Sequence, residues 1–346
     1  MDEIDKLEDT GDIGDLDETD QLPVKITGKE SNPLCYICNS ILTEFRPRPK
    51  FTTGVYSGEA MMSDKRFSDG SAWNRFYRMI LFHLRKRICR LSGISYFTEK
   101  DLGFHTRQAP WDENTLIVRS ESNARKYEDL LATALQHEAQ DPFASDRLTC
   151  FVIHARCWQL LCRHKAWSLA GEDIKIVLGA LRCKSARYWK QSLYPLQDFI
   201  DTKWTDFRHV LDPFVCHYAQ NIIAKTMARR RTRKRFQPIR GPHKRIYLNC
   251  LPPEILLLIA DLLPSTDVAV VQKAMGSYLG DAYWRSRIPC IFHEIRDVSS
   301  ELLDWEHLCS ELERLEDWDE QLTSRRYVLG QLDEIAGFIA NHSNYT

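Results

Sequence analysis

No stretch of the sequence approaches the roughly 20 consecutive apolar residues that a membrane-spanning helix requires, and no apolar run follows a basic start. A secreted or inserted protein is therefore not expected. No repeat period runs through the chain, which argues against a horseshoe of leucine-rich units or a propeller. Also missing are a phosphate-binding glycine loop, a nucleophile elbow, a metalloprotease motif and any carboxylate pair set by pattern in a cleft. These gaps point away from an enzyme. The excess of either charge is small: 47 Lys and Arg against 48 Asp and Glu leave a net −1, so wholesale nucleic-acid binding is not expected either.

What is present is unevenly placed. The 346 residues are 43% hydrophobic, enough for two or three domains with buried cores. The first twenty residues are rich in Asp and Glu, with Lys6 alone in opposition. Residues 1–30 hold too little apolar surface to offset the entropy of ordering and read as a disordered acidic tail. The opposite charge gathers at residues 229–235, where Thr232 is flanked by Arg229, Arg230, Arg231, Arg233, Lys234 and Arg235. Such a block reads first as a nuclear-import signal, then as a solvated helix end favoured by the dipole, and last as a nucleic-acid contact. Gly241-Pro242 follows it and breaks regular structure, marking a domain boundary. Eleven cysteines without a signal segment read as reduced thiols. An intracellular address follows, in the nucleus and/or the cytoplasm.

Two short motifs have metal-ligand spacing. Cys35-Tyr36-Ile37-Cys38 lets a tight turn direct two sulfurs at one ion. Further on, a β-like apolar run, Cys150-Phe151-Val152-Ile153, leads into His154 and Cys157, which at i and i+3 on a helical turn share one face. Together Cys35, Cys38, His154 and Cys157 would make a closed tetrahedral zinc site of three thiolates and one imidazole, structural because no position is left open. Cys150, Cys162 and His164 lie close enough to substitute. The plainer alternative makes Cys157 a small core residue and His154 its hydrogen-bonded neighbour.

Elsewhere the pattern is read mostly as helices. Short strands and turns are expected between Phe51 and Trp73. Trp73, Phe76, Tyr77, Ile80, Leu81 and Leu84 fit a helix over 73–84, and Tyr127, Leu130, Leu131, Ala134 and Leu135 fit another, capped by Ser120 or Ser122. Ile174, Val177, Leu178 and Leu181 continue the helical spacing, and Asp212-Pro213 opens a helix running through Val215, Tyr218, Ile222 and Ile223 into the basic block. Stripes at Leu302, Trp305, Leu308, Cys309, Leu312 and Leu315, and at Val328, Leu329, Leu332, Ile335, Ala336 and Ile339, are helix-packing surfaces. The expected fold class is mainly α. It divides into a mixed, mostly helical domain at 31–225 with the zinc site, a basic linker at 226–245 and a helical domain at 246–345.

The most telling stretch is residues 251–264. Pro253 suits the first helical turn because its missing N–H has no partner to lose there, and Pro264 stops the helix about three turns later. At about 100° per residue, Ile255, Leu258, Ile259 and Leu262 form one apolar stripe, and Leu256, Ala260 and Leu263 a second. One stripe must meet its own domain. The other needs a different cover, which a membrane cannot supply to so short a helix. Ser265 can cap a following helix with Asp267 in its first turn and Gly276 past its end.

Leu251-Pro252-Pro253-Glu254-Ile255-Leu256, followed by Asp267-Val268, resembles the F-box, the adaptor-binding module of cullin–RING ubiquitin ligases. The Val-Cys…Trp that commonly closes the family pattern is replaced by Val270-Val271-Gln272-Lys273-Ala274 and, later, Tyr283-Trp284-Arg285. The tract from 251 to 345 looks like the C-terminal region of a large group of fungal F-box proteins, and the segment around His154, Cys157 and Trp158 resembles a Phe-His-x-x-Cys-Trp segment of that group, often accompanied by an upstream Cys-x-x-Cys. The resemblance implies a substrate-recruiting subunit of a Skp–cullin–F-box ligase. Its partners would be a Skp-type adaptor, the cullin complex and a protein substrate, with Leu251, Pro252, Ile255, Leu256, Ile259 and Leu262 on the adaptor. The rival is a zinc-stabilised nuclear protein binding nucleic acid through 229–235, its C-terminal helices a scaffold.

Overall fold

The apolar run that leads into His154 is a strand, and a sheet is built around it. The structure, a computed structural model, describes residues 35–40, 42, 54–58, 72–83, 86, 88–96, 106–118, 131–135, 149–191, 211–230, 251–276, 278–298, 303–318 and 321–342. The acidic tail expected at 1–30 and residues 231–245 of the expected basic linker lie outside these residues.

Eight strands make one mixed sheet: β1 (Gly54–Ser57), β2 (Phe76–His83), β3 (Ile88–Leu91), β4 (Ile94–Tyr96), β5 (Thr106–Pro110), β6 (Thr115–Val118), β7 (Leu131–Leu135) and β8 (Thr149–His154). Their order is β1-β6-β4-β2-β8-β7-β5, with β3 also paired to β2. The β4–β6 and β7–β8 pairs are parallel and the rest antiparallel. Against β2, the register of β3 (Ile80 opposite Leu91) and that of β4 (Tyr77 opposite Ser95) differ by one residue. A bulge at Ser92-Gly93 absorbs the difference, and there Ser92 donates its N–H to the Met79 carbonyl while its Oγ accepts the Met79 N–H, both at 2.8 Å. Gly93 sits where a Cβ would come within 2.3 Å of the Asp112 carbonyl oxygen, so only glycine fits.

The expected fold class, mainly α, is therefore corrected: the N-terminal half carries a large mixed sheet under helices. The helix expected over 73–84 is a short 3-10 turn, Ala72–Arg75, followed by β2. Phe76, Tyr77, Met79, Ile80 and Leu81 are all buried, on both faces of the strand. A strand covered on both sides reads as a continuous apolar run, and spacing alone cannot tell it from a buried helix. The helix expected around 127–135 is also corrected, since residues 131–135 are β7, paired in register with β5. There the non-local ladder overrides the local preference of Leu and Ala for helix.

Nine α-helices are described: α1 (Ala155–Arg163), α2 (Lys165–Leu169), α3 (Ile174–Gln191), α4 (His217–Arg230), α5 (Pro253–Asp261), α6 (Ser265–Met275), α7 (Asp281–Arg287), α8 (Trp305–Trp318) and α9 (Gln321–His342). Several expected helices appear here with shifted ends. Asp212 opens α4 only indirectly, through a turn in which its Oδ1 accepts the Phe214 N–H at 2.8 Å. Gly276 ends α6 in the left-handed region at φ 68°, as the sequence signalled. None of these helices is long and apolar enough to cross a membrane.

Two apolar cores result. The first lies between one sheet face and helices α1, α2, α3 and α9, and includes Phe151, Ile153, Trp158, Val177, Leu181, Leu332 and Ile335. The second gathers α4 to α8 around the fully buried Trp284, with Val268, Phe292, Trp305, Leu308 and Leu312. Helix α9 belongs to both: Leu322 at its start packs in the second core, and Val328 to Ile339 in the first. Buried charge pairs hold this junction. Arg156 on α1 meets Asp212 at 2.8 Å. Arg325 on α9 donates to the carbonyls of Pro213, Phe214 and Ile291 and to both oxygens of Glu294, at 2.7 to 3.0 Å. Every face of that guanidinium is thus satisfied, which a buried cation requires.

Candidate functional site

The structure brings Cys35, Cys38, His154 and Cys157 together. Their ligand atoms all lie within 4.8 Å of one another and all four residues are buried, a set that could hold a metal ion. Local backbone explains the convergence. In the 35–38 turn, the Asn39 N–H reaches back to the Cys35 carbonyl at 2.7 Å, and Asn39 itself adopts φ 59°. Asn is among the few residues that tolerate that left-handed geometry. The Tyr36 N–H bonds the Val152 carbonyl at 2.9 Å, pinning the turn to β8. His154 ends β8 and sits at the N-cap of α1 with extended backbone, and Cys157 follows in the first helical turn.

The separations suit coordination. For a tetrahedral ion bonded to sulfur at about 2.3 Å and nitrogen at about 2.0 Å, the sulfur–nitrogen edge is about 3.5 Å. His154 Nδ1 lies 3.4 Å from Cys38 Sγ and 3.8 Å from Cys157 Sγ, one value on each side of that edge. The His154 N–H points at Cys35 Sγ from 3.2 Å, a contact that stabilises a thiolate. The imidazole stands edge-on to Trp73, with ring centroids 5.0 Å apart.

Electrostatics here are those of a linked group. Burial alone would push the Cys35 thiol up, but hydrogen bonds from Cys157 and Cys38 and the charge of His154 hold it well below the ordinary thiol range. Cys157 moves the other way, raised well above that range by burial and by its bonds to Cys35 and Cys38. Burial would lower His154, yet the charges of Cys35 and Cys38 raise it to about 10. Without an ion, the proton therefore rests on the imidazole beside a Cys35 thiolate.

The substitute ligands lie elsewhere. Cys150 is buried with Val152, Met79 and Leu81 in a cluster apart from Phe151 and Ile153, which belong to the other sheet face. Cys162 is exposed on α1. His164 accepts the Ala166 N–H at 3.2 Å and faces Asp333 at 3.4 Å. Sequence reasoning missed three supporting residues: Asn39, Lys184, which donates to the Ile37 carbonyl, and Tyr327, whose hydroxyl donates to the Cys38 carbonyl at 2.8 Å. The Asn after the second Cys was a readable sign of the turn. The other two lie 147 and 289 residues from the carbonyls they hold, and no local pattern announces them.

A second feature lies on α5. Its stripes separate as the spacing requires: Ala260 is buried and Leu263 packs against the second core, whereas Ile255, Leu258, Ile259 and Leu262 are 42%, 61%, 38% and 86% exposed. Pro252 is exposed, and Leu251 and Leu256 are half-buried. Arg287 secures the C-terminal end of α5: it donates at 2.8 Å to the Ala260 carbonyl, which also accepts the Leu263 N–H, and it donates as well to the Leu263 carbonyl just past the helix, while its Nε meets Ser265 Oγ at 2.8 Å. Glu313 accepts the Ser265 N–H at 2.6 Å, capping α6. The exposed stripe is therefore presented by a helix with secured ends.

Compared with models of known protein families, with curated proteins and with solved structures, the chain matches none.

Proposed function

We propose that this chain is an F-box protein, the substrate-recruiting subunit of a Skp–cullin–F-box ubiquitin ligase, and that it docks on a Skp-type adaptor through α5. The observation that carries the reading is the outward stripe of Ile255, Leu258, Ile259 and Leu262 beside the inward Ala260. Four large aliphatic side chains in water on one short helix are costly, and covering them gains about 25 cal/mol per Å² of apolar area before association costs. The Leu251-Pro252-Pro253-Glu254-Ile255-Leu256 pattern supplies the identity of the partner. Pro252 and Leu256 flank the stripe, and Leu251 sets the entry to the helix. In this reading the α/β half before residue 240 recognises the protein substrate.

Zinc is the ion that this donor set suits best. Three thiolates and an imidazole form a soft, closed tetrahedral shell, and a shell with no vacant position makes the ion structural. It would tie the 35–38 turn to β8 and α1.

Two measurements test the reading. Co-expressed with a Skp-type adaptor, the parent chain should co-purify with it, and Pro252→Ala with Ile255→Ala should weaken the complex while the N-terminal half stays folded. Undiminished binding by the double variant would reject the face. Elemental analysis should find about one zinc per chain, lost in Cys38→Ser and in Cys157→Ser. Folded, metal-free parent protein would reject the ion.

A further inference from the structure

The 35–38 turn is held from outside by two residues that no ligand pattern would include. Backbone carbonyls take N–H groups in and next to it: Cys35 donates to Ser40, Tyr36 to Val152 on β8 and Asn39 to Cys35. Two of its carbonyls are held by side chains instead. Ile37 receives the ammonium of Lys184 from the middle of α3, and Cys38 receives the Tyr327 hydroxyl from α9.

Lys184 is 1% exposed, a setting in which an ammonium is unfavourable unless charge and hydrogen bonds offset its lost hydration. The acidic groups facing it are Glu334 and the sulfurs of Cys38, Cys35 and Cys157. Glu334 is shared with Arg187 at 3.6 Å. Three thiolates around a divalent ion carry one net negative charge, so a metal-loaded centre offers this lysine a fixed counter-charge. Tyr327 adds direction. Its ring lies on the helix that joins the two cores, so the turn and α9 hold each other in place.

We propose that Lys184 and Tyr327 are positioning residues of the metal centre, Lys184 balancing its charge and Tyr327 locking the turn to α9, so that the ion and the C-terminal helix stabilise one another. The proposal rests on the reading of Cys35, Cys38, His154 and Cys157 as ligands of one divalent ion. Outer partners of this kind typically contribute 10- to 100-fold to metal affinity. They do so by fixing ligand direction without touching the ion.

The test uses the full chain loaded with zinc and a competing chromophoric chelator. Lys184→Met and Tyr327→Phe should each weaken zinc binding by about 10-fold or more, whereas Ile339→Val, which trims the same helix interface away from the turn, should stay close to the parent. In the cobalt(II)-loaded chain, the visible bands report tetrahedral thiolate geometry and should shift in Lys184→Met but not in Ile339→Val. Stripping the ion should speed amide exchange in the segment of α9 around Tyr327. Parent-like affinity in both variants, with one zinc still bound by the parent, would overturn this inference and leave the ligand assignment standing. A loss in Tyr327→Phe alone would overturn the role of Lys184 and support that of Tyr327. A parent chain that binds no zinc would overturn both the inference and the ligand assignment.

Discussion

Metal uptake at the four-residue centre should be steeply dependent on pH, and the slope follows from the geometry. Coordination requires neutral His154 and ionised thiols. With no ion bound, burial would lower His154 but its interactions with Cys35 and Cys38 raise it to about 10, and Cys157 is held well above the ordinary thiol range by burial and by Cys35 and Cys38. Near neutrality both groups are therefore protonated and must each give up a proton, while Cys35, held low, is already a thiolate. Those two groups alone release two protons, so binding should tighten by at least about 100-fold for each unit of rising pH. The sign for the ion-free fold is the reverse. His154 has a raised value, so its pairing with thiolate contributes fully below the ordinary imidazole value of 6.5 and is lost as pH rises through about 10. Zinc competition against a chelator of known proton dependence, at about pH 6.5 and about pH 7.5, measures the slope. A change of about tenfold or less would refute the linked-proton account.

Other outcomes follow from the packing. Arg325→Met leaves Glu294 and three carbonyls without their buried cation, and urea unfolding should show a loss of about 3–5 kcal/mol. Adding Glu294→Gln should recover part of that loss, because the stranded charge is then gone. Gly93→Ala places a Cβ within 2.3 Å of the Asp112 carbonyl oxygen and 2.5 Å of that of Thr115, so the bulge must shift at a cost of about 1–3 kcal/mol, read from thermal unfolding.

Much of the site was legible in the sequence because its signals are short-range. Cys-x-x-Cys and His154 with Cys157 are each fixed by a local turn, and the strand-to-helix change at His154 was visible in the apolar run that precedes it. The two stripes of α5 were readable for the same reason: proline bounds the helix at one end and the 3.6-residue period sorts its faces. The sheet was not legible. β2 is buried on both faces, so Phe76, Tyr77, Ile80 and Leu81 match helical spacing as well as strand spacing. β7 owes its conformation to β5, about 25 residues upstream in register, and no window of sequence contains that partner. Lys184, Tyr327 and Arg325 were invisible for a related reason: each acts on carbonyls more than 30 residues away.

In the proposed reading, the outward face of α5 binds a Skp-type adaptor. Titration calorimetry of the purified full chain with a purified Skp-type adaptor, comparing the parent with Leu258→Asp and Leu262→Asp, tests it most directly. Both positions are mainly in water, so each substitution should leave unfolding stability within about 0.5 kcal/mol. A carboxylate forced into an apolar interface should weaken binding by about 100-fold or more. Saturable binding by the parent, lost in both stable variants, is the predicted result. No heat of binding with the parent, or equal affinity in parent and variants, would contradict the account.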